Sequence, residues 1–133
     1  MNPHYPVVSQ RAGRRCEYCR APEVIFNFPF EVEHIIPVSR QGADDPANLA
    51  LACRACNLRK ADHQSGTDED TGSEVRLFHP RHDSWADHFQ TDRETGAIQA
   101  LTPIGRATIM RLQMNAVLQQ TARKQWMLLG LFP

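Results

Sequence analysis

Two CxxC pairs, Cys16-Glu-Tyr-Cys19 and Cys53-Arg-Ala-Cys56, constrain this chain more than any other feature, because they account for all 4 of its cysteines. Each pair can present two thiolates from a tight turn to one tetrahedral zinc ion, and four sulfurs close the shell, leaving no position for chemistry. Zinc bound there is a structural staple. A redox reading of the pairs would need a thioredoxin-like βαβ context, which the surrounding sequence lacks. The 133 residues allow one modest core, or a small module with a packed extension. No basic flank followed by an apolar run opens the chain, and Trp126 to Phe132 is too short to cross a bilayer, so a soluble, cytoplasmic protein without membrane contact is expected.

Lysine plus arginine and aspartate plus glutamate both total 15, so no overall field draws the molecule to a polyanion. Nucleic-acid binding would have to come from local patches. Two such patches coincide with the cysteines: Arg11, Arg14, Arg15 and Arg20 against Glu17 alone, and Arg54, Arg59 and Lys60 with no acid between residues 53 and 60.

The interval Arg20 to Ala52 is longer than a zinc ribbon requires. Phe30 to Ile36 alternates loosely as a strand, Pro37 to Pro46 carries loop signals, Leu49 to Ala52 forms a second strand, and Cys53 to Lys60 turns into a helix. The residues in this frame are Glu33-His34-Ile-Ile-Pro37, then Asn48-Leu49, then Cys53-x-x-Cys56-Asn57-x-x-Lys60. In this order they resemble the HNH endonuclease family in its four-cysteine form, over about residues 11–63. The resemblance implies an α+β fold with a ββα-metal core stapled by zinc at Cys16, Cys19, Cys53 and Cys56. It further implies a hydrolase that nicks DNA, with RNA left open as a substrate. His34 would be the general base, a role that neutral imidazole suits near neutral pH. Glu33 and Asn57 would bind catalytic Mg²⁺ or Mn²⁺, while Asn48 would hold the loop that aims His34. Glu33 stands where aspartate is usual, and Asn57 replaces the more common histidine. Arg40, Arg54, Arg59 and Lys60 are candidate phosphate contacts. The rival reading is a zinc-stabilised nucleic-acid-binding module without turnover.

Residues 1–63 therefore read as the nuclease module and 64–133 as an acidic loop, Gln64 to Glu74, followed by a mixed, mainly helical extension. Ahead of Cys16, Val7 to Arg15 suits a short helix. After a strand at Ile98 to Leu101, Thr102 and Pro103 mark the start of a helix, and a second begins after Asn115. Its stripe of Val117, Leu118, Ala122, Trp126 and Leu129 reads as core packing. Arg106, Arg111, Arg123 and Lys124 lie in a window without acids, as a DNA-facing surface or a solvated one. Phe78, Trp85 and Phe89 read as a satellite core, and His79, His82 and His88 as turn residues in preference to metal ligands. Sequence specificity and oligomeric state are not legible.

Overall fold

The computed structural model describes residues 1–133, and its centre is an antiparallel pair, β1 (Glu31–His34) with β2 (Leu49–Ala52), in the register Glu31↔Ala52 to His34↔Leu49. β2 is wholly buried, which its Leu-Ala-Leu-Ala composition permits on both faces. Helix α2 (Arg54–Lys60) follows directly, and the Cys53 sulfur caps it by accepting the Cys56 N–H at 3.5 Å. The second cysteine turn is thus also a helix start. The first turn is tied to β2 twice through Glu17: its N–H donates to Leu51 O at 2.8 Å, and its carboxylate accepts the Leu51 N–H at 2.8 Å. Helix α1 (Tyr5–Arg11) begins and ends earlier than Val7 to Arg15, because Gly13 and Arg14 adopt left-handed backbone at φ 64° and 55°.

The segment read as an acidic loop contains a hairpin, β3 (Ser65–Thr67) with β4 (Glu74–Arg76). Gly66 explains how it lies on the helix that follows: a Cβ there would stand 3.0 Å from Ala107 O. Asp68 secures the turn, buried and bonded by both Arg106 Nε at 2.8 Å and Nη2 at 3.1 Å. Beyond it come α3 (Trp85–His88), the hairpin of β5 (Phe89–Thr91) and β6 (Ile98–Ala100), α4 (Pro103–Leu112) and α5 (Val117–Leu128). Thr102 caps α4 by accepting the Gly105 N–H at 3.0 Å, as its position predicts. His79 and His82 lie in a turn, where His79 Nδ1 accepts from the Arg81 and His82 N–H groups, whereas His88 ends α3 and pairs with Thr102.

Two expectations about the extension are corrected by its packing. Phe78 and Phe89 belong to the same buried cluster as Tyr18, Leu49 and the four cysteines, so the core is continuous and they are no satellite. Most of the stripe on α5 is not core: Val117 and Leu118 are 81% and 79% exposed and Leu129 is exposed too, Trp126 alone of its large side chains packs against the core, and the one buried residue of the helix is Arg123. Burial of Arg123 is possible because carbonyls receive it, Gly96 O and Met114 O each at 2.7 Å.

Asp68 and Asp83 are both drawn down to about 2, Asp68 by the Arg106 guanidinium and Asp83 by that of Arg76. A carboxylate whose folded pKa lies below its unfolded value contributes stability that is complete above the unfolded value, about pH 4, and is lost as pH falls toward 2. For Asp83 this amounts to something on the order of 1–2 kcal/mol. Asp83→Asn is therefore expected to flatten the loss of stability between pH 4 and 2 in denaturant titrations; an unchanged slope would refute the assignment.

Candidate active site

The four cysteines are buried, and their sulfurs all lie within 4.8 Å of one another. Cys19 Sγ and Cys53 Sγ, one from each turn, are 3.8 Å apart. A tetrahedron with Zn–S bonds of about 2.3 Å has edges of about 3.8 Å, so the cage fits zinc. Neighbouring sulfurs, then burial, hold the Cys19 and Cys56 thiols well above the ordinary thiol range, whereas bonds from the other sulfurs draw Cys53 down. Four sulfurs this close ionise together only around a cation. Arg123 adds a buried positive charge: burial pulls its guanidinium below the ordinary value, and the nearby cysteine sulfurs oppose that. A divalent ion with four thiolates would carry two net negative charges, of which this arginine would offset one. Its position on a helix face rich in polar residues gave no sign of that role.

His34 ends β1, half-buried, and its Nε2 is 3.0 Å from Asp44 Oδ1. His4 Nε2 approaches the other Asp44 oxygen at 3.8 Å. The loop between His34 and β2 is clamped by buried Asn48. Its amide nitrogen donates to Ile36 O at 3.0 Å and Ala43 O at 2.9 Å, and its Oδ1 accepts the Ile36 N–H at 2.9 Å. Gly42 is sterically required in this loop, since a Cβ would fall 1.7 Å from Ile36 O. Arg11 of α1 adds a brace, donating to Pro46 O at 2.9 Å and Leu49 O at 2.7 Å.

Strand alternation separates His34 from its neighbour. Glu31 and Glu33 share one face of β1, which meets α2, and His34 projects from the other. Glu33 is buried, and both its oxygens are engaged: Tyr18 OH donates to one and Lys60 Nζ to the other at 3.1 Å. Burial raises the Glu33 pKa despite the opposing Lys60 charge. The carboxylate that meets Asn57 is Glu31, whose Oε2 accepts the Asn57 amide at 3.1 Å, while its Oε1 accepts from Arg54 at 2.9 Å. Glu33 and Asn57 share no hydrogen bond. Glu31 could have been found two residues before Glu33 on the same strand face; Asp44 and Tyr18 carried no such signal.

The basic candidates divide. Arg54 is exposed, and Arg40 is exposed with its Nε on Asp62 O at 3.1 Å. Lys60 is no phosphate contact: it is 2% exposed and donates to His34 O and Ile35 O at 3.2 and 2.9 Å as well as to Glu33. The short helix turns this side chain onto β1, where three oxygens replace its water. Arg59 braces the end of α4 through Leu112 O and Gln113 O.

No helix is long and apolar enough to cross a membrane. No curated protein and no solved structure matches the chain significantly. Residues 16–63 match the family model described as HNH endonuclease. That span begins at the first cysteine, runs through β1, the Asn48 clamp and β2, and closes just after α2, so over these residues the chain is similar to an HNH endonuclease module of the zinc-knuckle kind, with the four-cysteine cage at its base.

Proposed function

We propose that the protein is a metal-dependent endonuclease that hydrolyses DNA phosphodiester bonds one strand at a time, with zinc in the cysteine cage as a structural ion. The observation that carries this reading is the state of His34: its Nε2 faces the Asp44 carboxylate, and its Nδ1 makes no hydrogen bond. A proton held on Nε2 by Asp44 leaves the Nδ1 lone pair to accept one from water, which is what a general base needs. Asn48 and Lys60 are positioning residues, the first fixing the loop and the second the backbone at His34 and Ile35. With Glu33 committed to Tyr18 and Lys60, the oxygen donors accessible to a catalytic ion on the β1–α2 face are the Glu31 carboxylate and, after its amide turns, Asn57. Mg²⁺ or Mn²⁺ held by those donors would supply charge stabilisation for a phosphodiester; since Glu31 and His34 project from opposite faces of β1, ion and base act on one phosphodiester only around the edge of the strand. Arg54 and Arg40 supply backbone contacts that any sequence would satisfy.

The test is conversion of supercoiled plasmid to nicked circles by zinc-loaded protein with added Mg²⁺ or Mn²⁺. His34→Ala is expected to lose roughly 10²–10⁴-fold in rate with its melting temperature unchanged. Glu31→Gln is expected to lose metal-dependent activity without loss of stability, and Glu33→Gln to lose stability. Equal nicking by the parent and His34→Ala would overturn the assignment; retardation of DNA without cleavage by the parent would favour the non-catalytic binding module.

A further inference from the structure

Between the first cysteine turn and β1 the chain exposes a run of apolar side chains that neither the fold nor the proposed chemistry uses. Val24 and Phe28 are 74% and 76% exposed, Ile25 and Phe26 are 39% and 44% exposed, and Pro29 is exposed beside them. The placement is built by the backbone. A single 3₁₀ turn over Glu23–Phe26 ends at Asn27, whose left-handed φ of 51° turns Phe28 outward, while Phe30 returns to the core. Glu23 fixes both ends of the run, its Oε2 accepting Tyr5 OH and the Phe30 N–H, each at 2.7 Å. Phe26 is anchored against Phe30 and Trp126, with ring centroids 4.9 and 5.8 Å away. Phe28 has no aromatic partner.

These rings form one wall of a concavity of about 310 Å³, lined by Phe26, Phe28, Pro29, Phe30, Glu31 and Arg54. Glu31, which meets Asn57, belongs both to this concavity and to the oxygen donors proposed above to hold the catalytic ion. Arg54 lies on its rim with only one N–H on Glu31 and a side chain 74% exposed, leaving most of the guanidinium fork for a phosphate or the face of a base. An apolar ring surface beside a cation, next to a phosphodiester site, matches a nucleotide: base on the rings, phosphate on the arginine. A paired base inside a duplex presents only its edge and cannot reach such a surface, whereas an unpaired base can.

We propose that Phe26, Phe28 and Pro29 form a stacking shelf for an unpaired nucleobase flanking the scissile phosphate, and that single-stranded or frayed nucleic acid is the preferred substrate class. This deepens the nuclease reading and rests on it for the identity of the neighbouring site.

The test is fluorescence anisotropy of a labelled single-stranded 12-mer and of the matching blunt duplex, with zinc-loaded protein and no Mg²⁺ or Mn²⁺, so that binding is read without cleavage. The parent is expected to bind the single strand more tightly than the duplex. Phe28→Ala is expected to weaken single-strand binding by roughly 5- to 150-fold and duplex binding little, and Phe28→Trp to retain it. Because Phe28 is exposed, its melting temperature should not move, which separates a lost shelf from a lost fold. Equal binding of the two nucleic acids by the parent, or unchanged single-strand binding by Phe28→Ala, would overturn the proposal and leave the patch to an apolar protein partner. Loss of binding in Phe28→Ala alongside unaffected nicking by His34→Ala would keep the shelf and reject the nuclease assignment.

Discussion

Removing the ion from the Cys16, Cys19, Cys53 and Cys56 cage is expected to unfold the chain as a whole. The cage lies within one continuous core with Tyr18, Leu49, Phe78, Phe89 and Leu112, so its loss reaches both the residues matched to the family model and those that follow them. Structural zinc contributes about 10–16 kcal/mol of apparent binding free energy in small domains, comparable with or larger than the about 5–15 kcal/mol that holds a domain folded. Chelation should therefore abolish the near-ultraviolet circular dichroism of Trp85 and Trp126 and the cooperative thermal transition, and zinc should restore both. Cys53→Ser should behave as the chelated protein does, since it removes a sulfur ligand while a serine hydroxyl can still cap α2. A chelated protein that keeps its signal and its melting temperature would show that the cage is not the staple. Arg123→Met is expected to act in the same direction by a smaller amount, read as faster zinc release to a colorimetric chelator.

Lys60→Met is the second large effect expected. The Lys60 and Glu33 side chains are 2% and 4% exposed, so removing the ammonium leaves a buried carboxylate with only Tyr18 as partner, and leaves His34 O and Ile35 O without their donor. Breaking one side of a buried ion pair costs about 3–5 kcal/mol. For a chain of this size that is a fall in melting temperature of roughly 10–20 °C. Glu33→Gln/Lys60→Met should recover part of the loss, because a neutral pair needs no counter-charge. Nicking by Lys60→Met should fall below what its stability at the assay temperature explains, since the strand end that carries His34 has lost its anchor. A melting temperature within a degree or two of the parent would sink the argument.

The same pair shows where sequence reading stops. Lys60 stands in a basic run on a short helix, which suggests a solvated or phosphate-facing side chain; only the packing of α2 across β1 turns it inward onto three oxygens. Glu33 sits beside His34 in the motif and so reads as part of the chemistry. Strand alternation gives the two side chains opposite faces, and only the positions of Tyr18 and α2 decide that the Glu33 face is closed while Glu31 stays accessible. On α5 the hydrophobic stripe and the basic positions both invited the wrong burial: Val117 and Leu118 face outward, and Arg123 is interior because two carbonyls meet it there.

What the sequence determined by itself is local and covalent in range. CxxC spacing dictates which sulfurs can share an ion, the order Glu33-His34, Asn48, Asn57 marks the module, Thr102-Pro103 starts a helix, and Pro37 with Gly42 marks a loop up to Pro46. The turns and helix starts depend on residues a few positions apart, whose relative geometry the backbone constrains directly, and the two distant CxxC turns are joined by the ion they can share. What only the tertiary structure decided is which charged groups are buried and with whom: Glu17 with Leu51 and Arg81, Glu33 with Tyr18 and Lys60, and Arg123 with Gly96 and Met114. Most of those pairings join separate elements, and burying a charge is tolerable only where its partner arrives from elsewhere in the chain. No local pattern encodes that arrival.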